Sequence, residues 1–370
     1  MKEVSRLGGA PTGRRYVALD ALRGLAVLLV VYDHLFAVAG ETMAGGAFAP
    51  VAAVREWLAG PLVIIQDFGW FGVCLFFLIS GFVITHSARR ETLRVFVIRR
   101  ALRIFPPLAA TIVLLAILEP RFGIERPVVD YFYGVTLSGY FRVPQIVVLG
   151  VAWTLVIELL YYVLMALMMP LLRSDTPAAG VVLASWVPLF VVVSARDHGA
   201  VFFLLASSFS YVPLLLIGSV VYLHKNTDTR WWIVWPLAAA NLAVFMMGVH
   251  DINVAFWAWQ NSYLPSVVYA FVIFLICIDR SAPRALTFIG DMSYSLYLLH
   301  GVVGFALVAL FKNQGLGNAL PWLATLGSLV ASYAMLRFVE RPSITLGRRL
   351  SAAAEGLRRV QVTAQPRSAD

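Results

Sequence analysis

Ten apolar stretches of near membrane-spanning length leave this chain few ways to fold; they run at about 16 to 39, 68 to 86, 104 to 119, 145 to 172, 177 to 194, 201 to 223, 231 to 249, 263 to 279, 287 to 310 and 318 to 340. A helix of about 20 apolar residues crosses the hydrocarbon core of a bilayer, and a helix satisfies its backbone groups within one segment, as that solvent demands. The chain of 370 residues is 60% hydrophobic and 13% charged, with mean hydropathy +0.81. A soluble globule carries about 25% charged residues, so the bilayer is the solvent here. The expected fold class is all-α and polytopic, with about ten transmembrane helices.

The charges give an orientation, because cytoplasmic loops hold the excess of Lys and Arg. With the N-terminus inside, 22 of the 29 basic residues fall in inner segments, six in outer loops, and Arg23 inside the first helix. Both termini are therefore expected in the cytoplasm, and the net charge of +9 reads as topology rather than nucleic-acid binding. Such basic inner surfaces also favour anionic lipids and anionic cytosolic ligands. The division is a cytoplasmic tail over 1–15, a transmembrane region over 16–342 and a basic cytoplasmic tail over 343–370, loosely structured at its end. Cys74 and Cys277 lie in expected helices, as small core residues rather than a disulfide. The first apolar segment, with Asp20, Arg23, Asp33 and His34, does not resemble a cleavable signal. No internal repeat is visible, and no metal-binding spacing is found.

Arg23 and His34 stand eleven positions apart within LDALRGLAVLLVVYDHL. At about 100° per residue this is about three turns, so both lie on nearly one face, roughly 16 Å apart along the axis. Ionisable groups inside a span are costly and mark function by default. His34, with an unperturbed pKa near 6.5, suits a general base. Asp33 diverges from it by about 100° and is not expected to orient the ring. Glu158, on the fourth helix, is the better carboxylate partner, either for His34 or for an arginine. Arg23 has a local alternative in Asp20, one turn earlier.

A basic inner segment follows FGWFGVCLFFLISGFVIT. Ser80-Gly81 permits close helix approach. Arg99, Arg100 and Arg103 fall on consecutive turns of an amphipathic helix expected to end at Pro106-Pro107. Their planar forks suit phosphate oxygens, whereas Arg89, Arg90 and Arg94 read as membrane anchors. His86, His198, His224 and His250 lie at helix ends or loops and need no special role.

The ordered blocks LDALRGLAVLLVVYDH, FFLISGFVI, IRRALRIFPPL, AWTLVIELLYY, MSYSLYLLH and FVERP together resemble the acyltransferase 3 family of integral membrane acyltransferases, over residues 16 to 342. That family's hallmark is an Arg and a His with ten residues between them on the first helix. Trp153, Thr154 and Glu158 fall on its Trp-Ser-Leu-x-x-Glu block, with Thr for Ser and Leu159 where a second acid often follows. Ser293, Tyr294, Tyr297 and His300 fall on another block, and Glu340, Arg341 and Pro342 on its closing motif.

The resemblance implies a stand-alone bacterial cytoplasmic-membrane enzyme without the esterase-like domain that some members carry. Its donor would be cytosolic acyl-CoA, usually acetyl-CoA, and its acceptor a hydroxyl, commonly of a cell-surface glycan. His34 then serves as general base or acyl carrier, with Glu158 beside it in the chemistry. Arg23, Arg99, Arg100 and Arg103 hold the donor. Trp153, Ser293, Tyr297 and His300 line the acceptor side. The alternatives are O-acylation of a lipophilic hydroxyl compound such as a macrolide, and a secondary transporter or flippase using the same ionisable groups as a path, although the latter more often shows paired repeats.

Overall fold

The computed structural model describes residues 17–44, 48–252 and 263–364, and the side chains of these except 42–44 and 355–364. The expected tail over 1–15 lies outside the described residues. Among the described residues every regular element is helical. Eight helices are long and apolar enough to cross a membrane: α1 (Val17–Glu41), α2 (Gln66–Arg90), α3 (Leu93–Phe122), α4 (Gly150–Leu172), α6 (Gly199–Asn226), α7 (Trp231–Asp251), α9 (Ser293–Phe311) and α10 (Gly317–Ala354). The shorter apolar helices α5 (Pro177–Val193) and α8 (Tyr263–Cys277) fill the fifth and eighth of the ten expected positions. The chain is an all-α, multi-pass membrane protein.

The centre of the bundle is α2, whose apolar window is 78% buried against 28% for α3. It packs on α1, α4, α6 and α8. Lipid tails are as apolar as leucine, so contact between spanning helices depends on how closely backbones approach. At the α2–α6 crossing two glycines permit this: a Cβ on Gly81 would stand 1.8 Å from the Leu215 carbonyl oxygen, and one on Gly218 2.1 Å from that of Leu78. Exposed Val113, Ile117, Val163, Leu167 and Val330 face outward, as a lipid-bathed surface requires. Exposed Trp231 and Trp232 mark the end of the bundle rich in Arg and Lys, and exposed Trp57 and Trp322 the opposite end, where amphipathic rings sit at headgroup level. Cys74 is buried, Cys277 partly so, and both are free thiols.

Five departures from the expected segments stand out. The helix carrying Arg99, Arg100 and Arg103 does not stop at Pro106-Pro107 but continues without a break to Leu118. The prolines remove the N–H groups that would bond the carbonyls of Leu102 and Arg103, and spanning helices tolerate such losses where neighbouring groups compensate. The fourth span begins not at 145 but with a tight turn at Gly150–Ala152, so that Trp153 opens the α-helix proper. The sixth is interrupted at Ser210-Tyr211, ahead of Pro213, and the ninth is preceded by a separate helix, Arg284–Asp291, that packs on α1. The basic tail expected over 343–370 begins as part of a helix, Arg341–Ala364, that lies along α3, with Ser343, Ser351 and Ala354 buried and Gly347 against Leu102; its end, where loose structure is expected, lies outside the described residues.

Candidate active site

In its last third α1 changes winding: Tyr32–Val38 form a π-helical stretch, a local distortion that recurs at functional positions. His34 sits inside it, and its Nδ1 lies 2.7 Å from Nε2 of His300 on α9. His300 is fully buried, with Nδ1 3.0 Å from the Leu296 carbonyl oxygen. A carbonyl only accepts, so His300 carries its hydrogen on Nδ1 and its neutral ring offers Nε2 as an acceptor. His34 must then donate from Nδ1. Its Nε2 is left with a lone pair, and beside it Asp33 Oδ2 stands 3.6 Å away. Leu296 carbonyl, His300 and His34 thus form one hydrogen-bond chain that fixes which nitrogen of His34 is basic.

Three cavities follow α1 along its length. The innermost, about 70 Å³, is lined by Arg23, Arg100, Arg103, Glu158, Ser293 and Tyr297. The central one, about 270 Å³, holds Asp33, His34, Gln66, Trp153 and Tyr211. The outermost, about 840 Å³, is lined by His34 and Trp153 and by apolar residues such as Leu115, Phe122, Val302 and Phe305. Val73 and Tyr297 belong to both the first and the second, and His34, Trp153 and Tyr211 to both the second and the third. Tyr297 forms the partition: its hydroxyl donates to the Val151 carbonyl at 3.0 Å, accepts from Thr154 Oγ1 at 2.9 Å, and its ring meets Phe76 edge-on at 5.6 Å.

The arginines separate into two groups. Arg100 donates to Ser87 Oγ at 2.5 Å, lies over the rings of Phe96 and Tyr162, and has a buried Nε with no partner among the described residues. Arg103 interacts electrostatically with Glu340 and Glu158. Arg23 reaches Asp20 at 3.6 Å while also facing the cavity. Arg99 turns away and pairs at 2.7 Å with Glu91 on the surface. Arg89, assigned to anchoring, instead donates to the Leu172 carbonyl at 2.8 Å, and Arg173 reciprocates to that of Ala88 at 2.9 Å, fastening the ends of α2 and α4. Glu158 accepts from the Tyr162 hydroxyl at 2.6 Å and stands among the arginines rather than beside His34.

Residues 16–337, most of the chain, match the sequence profile of the acyltransferase 3 family, described as an acyltransferase domain. The chain belongs to the acyltransferase 3 family. Nodulation protein 10 of Rhizobium leguminosarum bv. viciae is 25% identical over 327 residues, covering 76% of this chain and 85% of that protein. A protein named "Putative O-acetyltransferase" in Staphylococcus aureus (strain COL) is 23% identical over 381 aligned residues, covering 89% of this chain and 57% of the relative. A protein of the same name in strain MSSA476 aligns to the same extent. The chain thus spans a little over half the length of these staphylococcal relatives. No solved structure matches it.

In this acyltransferase the motif residues fall into two sets. Arg23, Arg100, Arg103, Glu158 and Ser293 gather at the innermost cavity; His34, His300 and Trp153 gather beyond Tyr297. Asp33, not expected to orient the ring, has a carboxylate that reaches back to the neighbouring ring. Tyr211, placed by the break in α6, and Tyr162, one turn after Glu158, carry no signal in the sequence that marks them for the site. Glu340 was visible only as a motif letter; it is buried and accepts from Ser295 Oγ at 2.5 Å.

Proposed function

We propose that this protein is a membrane O-acyltransferase that moves an acyl group, in the simplest case acetyl, from acyl-CoA entering at the basic, cytosolic end to a hydroxyl presented from the opposite side. The observation that carries the reading is the row of cavities in which Val73 and Tyr297 adjoin both the arginines and His34. Three guanidinium groups and one carboxylate line the innermost cavity; Asp20 and Glu340 stand beside Arg23 and Arg103, while Arg100 keeps a buried Nε without a partner among the described residues, an arrangement suited to a phosphate-bearing donor. The thioester then lies towards His34, past Tyr297.

His34 Nε2 takes the hydroxyl proton as the acceptor oxygen attacks the thioester carbonyl carbon. The tetrahedral intermediate collapses with loss of the C–S bond, and the proton passes to the leaving thiolate, giving an ester and free CoA thiol. Asp33 stabilises the imidazolium formed between these steps, and His300 keeps Nδ1 engaged throughout. The acceptor we favour is a glycan hydroxyl. The largely apolar lining of the outermost cavity supports a second reading, a hydroxyl on a lipophilic compound. The test is release of free thiol from acetyl-CoA by purified protein, with a glycan and a lipophilic alcohol as rival acceptors. Acceptor-dependent release supports transfer, and transport of either compound without thiol release would overturn it.

A further inference from the structure

Opposite His300, the site is bounded by a turn of uncommon backbone. Gln66, Asp67 and Phe68 hold φ of 51°, 43° and 71° in succession. Residues with a Cβ rarely enter this left-handed region and stay only where their surroundings hold them. Arg55 supplies the hold. Its Nε donates to Asp67 Oδ1 at 2.7 Å and its Nη2 to Asp67 Oδ2 at 2.5 Å, a fork on a carboxylate only 9% exposed. The same guanidinium bonds Glu41 at the end of α1 through Nη1 and, at 3.2 Å, through Nη2. The hydrogen bonds to Asp67 raise the Arg55 pKa above the usual arginine value, against partial burial and with added support from Glu41.

The turn touches the reactive side of the site. Gln66 lines the cavity that holds His34. Gly69, the first residue after the turn, lies so close to Asp33 that a Cβ there would stand 2.2 Å from Asp33 Oδ2. Asp33 is in turn the carboxylate beside His34 Nε2. We propose that Arg55 is a positioning residue for acyl transfer: by gripping Asp67 and Glu41 it locks the left-handed turn, which holds Asp33 and Gln66 at the basic nitrogen of His34. This rests on the reading of His34 as the base. An ordinary exposed ion pair contributes little; this one differs in being two-pronged and in holding a backbone that does not hold itself.

The test uses the purified full-length chain, comparing Arg55→Gln and Arg55→Lys with Lys225→Gln, which breaks a pair with Asp279 remote from the cavities. Arg55→Gln should lower kcat at least about tenfold with the KM for acyl-CoA within about twofold, since small misplacements at a reacting centre cost up to ~10²-fold. Arg55→Lys should recover part of the loss, an ammonium keeping the charge without the fork, and Lys225→Gln should match the unaltered protein. A readout independent of catalysis is the thiol-labelling rate of Gln66→Cys in a Cys277→Ser background, which should rise at least about tenfold when Arg55→Gln is added. If Arg55→Gln does not fold, Asp67→Asn takes its place with the same expected kcat loss. Unchanged kcat in a folded variant, equal losses for Arg55→Gln and Lys225→Gln, or an unchanged labelling rate would each overturn the proposal. If the unaltered chain releases no CoA with any acceptor, the acyl-transfer reading fails and the catalytic role of Arg55 falls with it, while the labelling rate still reports whether the turn is clamped.

Discussion

At the basic end of the path, guanidinium groups converge on a cavity with a single carboxylate in its lining. At the His34 end, among the described residues, the only Asp, Glu, Lys or Arg side chain lining the central cavity is Asp33, and two imidazoles are ordered by a hydrogen-bond chain that ends on a backbone carbonyl. The first arrangement sets more guanidinium groups than carboxylates around one cavity and so suits an anion. The second leaves one nitrogen lone pair in a defined direction and so accepts a proton. Both are expensive inside a bilayer, and on the proposed reading the difference between them divides binding from chemistry. Substitutions at the two ends should therefore act on different kinetic constants.

The largest expected contrast concerns which side each end faces. A cysteine at exposed Val143, beyond the outermost cavity, should react with an impermeant thiol reagent from outside intact cells, and one at exposed Asp175 should react only after permeabilisation. The opposite pattern would reverse the donor route. Next in size is His34→Ala, expected to lower kcat at least about 10³-fold with acyl-CoA binding intact, because loss of a positioned base commonly costs 10²–10⁴-fold. Near-normal turnover would remove His34 from the mechanism.

His300→Gln should lower kcat by about 10²-fold while the KM for acyl-CoA stays level, because His34 is then free to place its hydrogen on either nitrogen. An unchanged kcat would show that the pair of imidazoles merely packs. The smallest effect lies at the other end. Arg103→Gln should raise the acyl-CoA KM at least about tenfold, a charge-assisted hydrogen bond being worth ~1.5–3 kcal/mol, whereas Arg99→Gln, at a surface pair with Glu91, should change it by less than about threefold. Equal rises for both would mean that diffuse surface charge, not the cavity, holds the donor.

Much of the fold was legible because a bilayer demands long apolar helices and sorts the basic loops to one side. The segment ends were less so: Pro106-Pro107 reads as a stop in water, and α3 runs through it. At the site, the spacing placed Arg23 and His34 on one path, and Ser293, Tyr297 and His300 on one helix, since periodicity encodes the faces of a single helix. It did not separate Arg99 from Arg100, because adjacent positions differ only in rotation, and the rotation of α3 is set by what packs on it.

The sequence by itself determined an all-helical membrane protein and the motif residues that place it among membrane acyltransferases. Only the tertiary structure decided that His34 meets His300, 266 positions away, that Glu158 serves the arginines instead of the imidazole, and that Arg55 reaches Asp67 and Glu41 at once. The physical reason is that apolar pattern tells a helix which solvent it is in, while its neighbours and rotation depend on close contacts such as Gly81 against Leu215, which have no period to read.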